Sequence, residues 1–423
     1  MRASIAVMRS IVVSGLVVSA VAAQAGGAYI YEMSNASEVG YGGAGMVARA
    51  NDAGTVFSNP AGMTRFDKSE MMAGALAVYI DAGFSTNENN TASGKASGLN
   101  KRIVPAGNFG YIRPLSDRLS VGVSVHNYFG LALDWSDDWV GRGSSVNITL
   151  VAPQVQPTLA YKVNDWLSVG AGAALTLGYM YDKSRVEPII PNGKEGKFRL
   201  SDADFAVQGN FGIMLQPWDH TRIGIRYLTE TDLDFEDSPD ISGVNDLPDI
   251  DPNADFVSPG AKVDIGMKMP QSINAAVHHQ WNDELAVLGS VGWDEWSEFG
   301  YVNAGLDVNG GGGVSTELNA DFRDVWHGGI GAEYKWKPRW ELTAGFSYDS
   351  SMMSSRTRPI FIPLGNMYRY AVGFKHRRSD TLTLGGGLTF LWEGNLPVDD
   401  SGGVSGKYNN VSLTFLSFYA SWH

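Results

Sequence analysis

The side chains that could do chemistry in this chain are few and badly spaced for it. None of the 423 residues is cysteine, which removes thiol nucleophiles, thiolate metal sites and disulfide scaffolds together. Of the seven histidines, His278 and His279 are adjacent; neighbouring side chains on a strand face opposite ways, so the two share no metal. Asp249, Asp251, Asn253 and Asp255 have the spacing that opens a calcium loop. The sixth place is not glycine, however, and Gly260 stands where a bidentate glutamate belongs, so they read as a solvated acidic loop. Gly43-Ala44-Gly45-Met46-Val47-Ala48 imitates a dinucleotide fingerprint with no strand before it. No histidine lies in a nucleophile motif. The expectation is a protein that is not an enzyme, with no catalytic residue, metal or cofactor.

Composition narrows the class further. A formal charge of −13 and a pI near 5.0 argue against a nucleic-acid partner. Glycine, 51 of 423, is well above the usual ~7%, and it accompanies 11% aromatic and only 18% charged residues. Glycine inside a helix costs ~1 kcal/mol against alanine, so this mixture points to strands. Residues 1–25 read as a signal peptide: Arg2 and Arg9, the apolar run Ile11 to Ala22, then Ala23-Gln24-Ala25 as the cleavage site.

The elements that must carry any site are strands of alternating character. In Leu167 to Leu177 the odd positions are apolar and the even ones small or polar, and Thr381 to Phe390 repeats the pattern. Six short polar turns, at 114–117, 164–165, 217–220, 282–283, 337–338 and 378–380, separate seven long stretches rich in Gly, Asn, Asp and Ser, roughly 81–101, 134–146, 183–198, 232–260, 306–321, 350–365 and 394–408. With a first strand at about 69–80 and a last at about 409–422, the count is 14. Short turns at one end, long loops at the other and an even number describe a 14-stranded antiparallel transmembrane β-barrel, closed because lipid satisfies no open edge. Trp166, Trp218, Trp281, Trp336 and Trp340 all stand at the short turns, as an inner aromatic girdle requires. Leu416, Phe418, Ala420 and Trp422 share one face of the final strand, with His423 added after the aromatic.

Residues 26–67 show no sustained alternation, and a tail of that length is disordered unless it packs somewhere. It reads as an N-terminal plug, or hatch, inside the lumen, with residues 68–423 forming the barrel.

Within that segment, Asp52-Ala53-Gly54-Thr55-Val56-Phe57-Ser58-Asn59-Pro60-Ala61-Gly62-Met63 resembles the plug signature of the FadL-type family of outer-membrane transporters for long-chain fatty acids and aromatic hydrocarbons (OmpP1/FadL/TodX). The resemblance continues at 129–142, 156–172, 293–299 and 344–351. One stretch departs: where the family has an acidic Pro-Asp-x-(Asp/Asn)-Arg before the twelfth strand, this chain reads Ile362-Pro363-Leu364-Gly365-Asn366-Met367-Tyr368-Arg369. The resemblance implies a kinked third strand that leaves a gap in the wall, through which an apolar substrate leaves sideways. It places that opening at Gly130, Leu131 and Ala132 and sets the hatch tripeptide Asn59, Pro60 and Ala61 against it. By position it maps the cation for a ligand head group to Lys183, with Arg185 two residues on.

The function so implied is passive transport of hydrophobic small molecules, long-chain fatty acids first, across the outer membrane of a Gram-negative bacterium by a multi-pass barrel, with capture at the extracellular loops and lateral release through the gap in the wall. Uptake of neutral aromatic or aliphatic hydrocarbons and a structural or adhesion barrel are the alternatives. The expected partners are the hydrophobic ligand, outer-membrane lipids, lipopolysaccharide and the barrel assembly machinery.

Overall fold

A computed structural model describes residues 28–186, 195–238, 240–242, 262–299, 301–307, 314–319 and 321–423. The signal-peptide reading of residues 1–25 and the Asp249–Asp255 loop therefore lie outside the described residues.

The ladders form fourteen antiparallel strands: β1 (Glu70–Thr86), β2 (Ser97–Pro114), β3 (Leu119–His126 and Phe129–Asp134), β4 (Asn147–Val151 and Gln154–Lys162), β5 (Leu167–Val186), β6 (Gly196–Trp218), β7 (Thr221–Leu228 and Thr231–Asp237), β8 (Lys262–Met269 and Ser272–Gln280), β9 (Leu285–Asp294 and Tyr301–Asp307), β10 (Val314–Asn319 and Val325–Lys337), β11 (Trp340–Asp349), β12 (Met367–Arg377), β13 (Leu382–Ser401) and β14 (Val404–Trp422). β1 pairs with β14 from Met71↔Trp422 to Thr86↔Gly406, which closes the barrel. His423 completes the seam, its ring bonded to Glu70 at 2.5 Å and to Thr383 at 3.1 Å.

Alternation decides which face is which. Leu175, Leu177, Phe205, Val207, Ile330 and Phe418 are exposed, while Thr176, Gln208, Asn210 and Ser417 are buried. An exposed ring of large apolar side chains around a polar interior is the inverse of a soluble protein and fits lipid outside. The tryptophans at the short turns agree, Trp218 and Trp281 being exposed by more than six-tenths.

Several strands run further than the sequence suggests. The stretches expected as loops at 81–101 and 394–408 are largely strand, β1 reaching Thr86 and β13 reaching Ser401 before a hairpin at Gly402-Gly403. These extensions stand in water, so the apolar alternation that marks a lipid-facing strand is absent there.

The wall departs from a simple cylinder at β7–β10. In lower β7 the buried positions are even, Gly224, Arg226 and Leu228; above Thr229-Glu230 they are odd, Thr231, Leu233 and Phe235. β8 inverts at the same level, from Ser272, Asn274 and Ala276 to Val263, Ile265 and Met267. Above this crease the outer halves of β7, β8, β9 and β10 form a separate four-stranded sheet. Leu233 and Phe235 on that sheet lie against the inward face of β5 at Gly178. Between β6 and this sheet the backbone ladder lapses, and carboxylates bridge instead: Asp204 accepts from the Asp234 amide at 2.9 Å, Asp202 from Glu236 at 2.7 Å, and Asp237 from Ser201 at 2.9 Å.

A hydrogen bond to a charged acceptor is worth ~1.5 to 3 kcal/mol, about ten- to a hundredfold in an opening equilibrium. We expect Asp202→Ala combined with Asp204→Ala to speed amide exchange at Asp234 and Glu236 at least tenfold. Exchange across 223–227 should stay unchanged in hydrogen-exchange mass spectrometry. Equal protection in both segments would count against the side-chain seam.

Candidate functional site

Residues 28–66 run through the lumen, and nearly every side chain from Tyr29 to Met63 is buried. The fit comes from the wall. At Gly74 a Cβ would strike Ala36, at Gly110 the Ala53 carbonyl, at Gly224 the Val47 carbonyl, at Gly345 the Tyr41 carbonyl and at Gly387 the Gly40 amide. Inward glycines thus let the segment lie backbone against wall. Hydroxyls of the wall then bond its carbonyls: Thr343 to Gly40 at 2.8 Å, Ser347 to Gly42 at 2.7 Å and Ser417 to Ala36 at 2.7 Å.

Buried charge fixes it further. Glu38 pairs with Arg49, whose guanidinium lies 3.6 Å over the Tyr41 ring. Tyr41 donates to Glu333 at 2.6 Å, and Glu333 also holds His278 at 3.0 Å. His279, on the opposite face, bonds Thr221 instead. Higher up, Arg369 on β12 reaches Glu32 at 2.7 Å and Asp349 at 2.6 Å. Each of these charges has an opposite partner, as low-dielectric surroundings demand.

Asn59-Pro60-Ala61 has a local explanation. Asn59 is extended, and its side chain accepts from the Ala61 amide at 3.1 Å, capping the 3-10 helix Pro60–Arg65 with proline at its first position. The Asn59 amide donates to the Val47 and Ile213 carbonyls at 2.7 and 3.0 Å. Pro60 and Ala61 abut Gly170 on β5 and Gly212 on β6. The tripeptide therefore contacts β5 and β6, whereas Gly130 meets Ala28 and Val151, so the structure does not bring these two sites into contact.

Near Gly130 the β2–β3 ladder lapses. β3 breaks at Asn127-Tyr128, and β2 pairs with β3 only from Phe109 to Pro114. Over Ser97–Asn108, β2 has no ladder on that side. The free edge of β3 is taken by the short terminal strand Ala28–Tyr29, with Ala28 opposite Gly130 and Tyr29 opposite Phe129, while the Ile30 amide donates to Tyr128 O at 2.7 Å. The top is closed by Trp135 and Trp139, stacked 4.4 Å apart against Gly98. Val104, Ala106 and Leu131 border the gap and pack on the apolar core, and Ala132 is half-buried beside them. A Cβ at Gly130 would sit 2.9 Å from the Leu150 carbonyl, so close packing fixes glycine there.

Lys183 and Arg185 are not where a head-group anchor must be. They fall on the odd positions of β5 with Leu175 and Leu177, facing outward, and both bind Asp137, at 2.8 and 3.0 Å. The Lys183 ammonium, with Arg185 beside it, holds the Asp137 carboxyl below the usual range. Parity along a strand decides the matter: two residues sharing a face share it whether that face is inside or out.

The inward cation missed by the sequence reading is Arg226 on β7. It is fully buried, its guanidinium lies 4.9 Å from both the Tyr31 and Phe57 rings, and none of its three nitrogens has a hydrogen-bond partner among the described residues. The signal was in the sequence: Gly224, Arg226 and Leu228 alternate with Ile223, Ile225 and Tyr227, which sets Arg226 opposite the apolar face. Above the segment lie two narrow clefts, with cavity volumes of about 30 and 20 Å³, that share Asp294 and Asp349. The larger is lined by Tyr31, Met46, Val47, His327 and Arg369; the smaller by Tyr29, Trp296, Met352, Leu364 and Met367. The departure at 362–369 therefore puts apolar Leu364 and Met367 in the cleft wall and keeps Arg369 paired behind it.

A family model described as outer membrane protein transport protein (OMPP1/FadL/TodX) matches residues 16–416. Outer membrane protein P1 of Haemophilus influenzae Rd is 24% identical, over 90% of this chain and 89% of its own. The long-chain fatty acid transport protein of Escherichia coli O6:H1 is 24% identical, over 87% and 85%. Among solved structures, a Pseudomonas aeruginosa FadL homologue superposes with a TM-score of 0.79 at 20% identity, over 92% of this chain and 98% of that one. The Pseudomonas putida toluene transporter TodX gives 0.68 at 17%, over 91% and 99%.

Gly345→Val offers a test of the seating. Its branched side chain displaces the Tyr41 backbone but leaves the outward face of β11 intact. We expect a folded, heat-modifiable barrel whose single-channel conductance in planar bilayers rises several-fold. Wild-type conductance would mean that the segment does not depend on this seat.

Proposed function

The chain belongs to the OMPP1/FadL/TodX family of outer membrane transport proteins, and on that premise we propose that it carries long-chain carboxylate amphiphiles passively across the outer membrane. The observation that carries this reading is Arg226. An unpaired charge in an apolar interior costs several kcal/mol, and a guanidinium among aromatic rings is matched by an anion attached to an apolar body. In this reading residues 26–67 are a hatch that stays seated. The ligand's carboxylate reaches Arg226 past Tyr31, which lines the larger cleft, and the clefts widen to take its chain. Tyr29 stands between cleft and wall gap, its ring 5.0 Å from Trp296 and 4.9 Å from Tyr128. Displacing Ala28–Tyr29 from β3 opens a sideways path into lipid past Leu131 and Ala132, with no energy input and no covalent chemistry. Outer-membrane lipids, lipopolysaccharide at the outer rim and the barrel assembly machinery at the final strand are the partners this implies.

A second reading, neutral hydrocarbon uptake, is favoured by Leu364, which stands in the stretch where the family carries an acidic motif, and by Met367 beside it; both line the smaller cleft. One experiment separates the two. Arg226→Gln should weaken oleate binding ten- to a hundredfold, the ~1.5 to 3 kcal/mol of a charge-assisted bond. It should leave toluene uptake within twofold. Lys183→Met with Arg185→Met should change neither. Undiminished oleate affinity in Arg226→Gln would reject the carboxylate reading.

The sideways path is tested at Ala132, because Gly130 tolerates no side chain. Ala132→Trp should lower uptake of labelled oleate by cells at least fivefold while the purified protein binds it normally. Normal uptake would remove the gap from the route.

A further inference from the structure

The short turns, which in an outer-membrane barrel face the periplasm, are not alike. Six of the chain's 32 lysines and arginines fall within residues 335–341 and 375–380, against two carboxylates, on a chain whose net charge is −13. These residues make the β10–β11 and β12–β13 turns and the strand ends that enter them. Elsewhere along this rim basic charge is answered or absent. Lys162 pairs with Asp165 at 3.0 Å, Arg222 bonds the Ala48 and Arg49 carbonyls, and the β8–β9 turn carries Asp283 and Glu284.

Two of the six cations are used by the fold. Lys375 is held by Glu341 at 2.8 Å, and Lys335 donates to the Asp283 carbonyl at 3.0 Å. The other four, Lys337, Arg339, Arg377 and Arg378, are exposed, and among the described residues none of them has an ion pair. The backbone sets them side by side, because the Arg377 amide donates to the Arg339 carbonyl at 2.9 Å and so joins the two turns. Like charges gathered in this way repel, and an anion from outside the chain relieves that repulsion.

The strand faces show what lies against the turns. Ile330, Tyr334, Trp336, Leu342 and Val372 are exposed on the lipid side of the wall. Trp340 continues that face, stacked on His376 at 4.2 Å and 5.9 Å from Phe374, and the Lys337 ammonium lies 4.1 Å over the Trp336 ring. Indole rings at a membrane boundary sit at the level of the head groups. The four cations therefore adjoin the inner aromatic girdle at the depth of lipid phosphates.

We propose that the β10–β11 and β12–β13 turns form a binding site for an anionic glycerophospholipid of the inner leaflet. Lys337, Arg339, Arg377 and Arg378 surround its phosphodiester, and Trp336 and Trp340 pack on the glycerol and the upper acyl chains. A cation beside an anionic lipid surface contributes about fivefold in affinity, and a guanidinium takes two phosphate oxygens at once. A zwitterionic lipid gains little, since its own ammonium opposes the cluster. The site is independent of what the lumen carries.

The test counts bound lipid by native mass spectrometry on the full-length barrel in neutral detergent, titrated with phosphatidylglycerol or with phosphatidylethanolamine of the same acyl chains. Phosphatidylglycerol should bind at least tenfold more tightly. Lys337→Gln, Arg339→Gln, Arg377→Gln and Arg378→Gln combined should bring the two lipids within twofold of each other. Arg113→Gln with Arg118→Gln, two exposed cations of the β2–β3 turn, should leave the preference intact. Heat-modifiability on a gel verifies that each variant is folded; should the fourfold variant fail there, Arg377→Gln with Arg378→Gln alone should lower the preference at least threefold. Inorganic phosphate should not displace the lipid, and displacement would reduce the site to one for any anion and overturn the proposal. Equal binding of the two lipids by the unaltered protein, or an undiminished preference in the folded variants, would overturn it as well and leave the basic turns to an acidic periplasmic partner.

Discussion

The contact on which everything else depends is steric, between the backbone of residues 34–63 and the inward glycines of the wall. A lumen closed by fourteen strands is too wide for its own side chains to fill, and a segment fills this one only where the wall withholds a Cβ. Gly74, Gly110, Gly224, Gly345 and Gly387 do so on five different strands. Hydrogen bonds and ion pairs then have fixed partners: Thr343 finds Gly40 because Gly345 has let Tyr41 approach. The glycine surplus visible in the composition is thus partly a mould for the N-terminal segment.

That constraint explains how the interior tolerates charge. Glu38, Arg49, Glu333, Lys375 and Glu341 are charge-paired because a rigid backbone sets their distances, Lys375 reaching Glu341 at 2.8 Å and Glu333 at 3.6 Å. Arg226 differs within this arrangement: rings flank its guanidinium at 4.9 Å, and no carboxylate among the described residues bonds it. A lumen whose ion pairs leave the Arg226 guanidinium without a hydrogen-bond partner among the described residues is selective in a way that neither a uniformly apolar nor a uniformly charged lumen is.

Much of this was legible in the sequence, and the limits are physical. Strand number and the short turns were readable because lipid forces alternation, as in Leu167 to Leu177. The extensions of β1 and β13 were not, because water imposes no such pattern. Lys183 and Arg185 were assigned inward by position alone, although counting parity from Leu177 places them outside. Arg226 was missed because a lone arginine among strand residues reads as surface until the faces are fixed. The crease in β7 and β8 turns on a one-residue slip at Thr229-Glu230 and Pro270-Gln271, which no local propensity announces. The terminal strand Ala28–Tyr29 pairs with residues a hundred positions away, beyond the reach of any local pattern.

The glycine seats also bear on how the molecule is made. The N-terminal segment leaves the ribosome first, yet its seats at Gly345 and Gly387 lie on β11 and β13, among the last strands synthesised, and the barrel closes only when β14 joins β1. The seating of the segment is therefore complete only once β11 and β13 are in place and the barrel has closed. A barrel that closed with a strand missing would set Tyr41 and Gly40 against the wrong residues and leave their carbonyls without donors. The fit of the N-terminal segment thus depends on the full circumference of the wall, because its seats are spread over β1, β2, β7, β11 and β13.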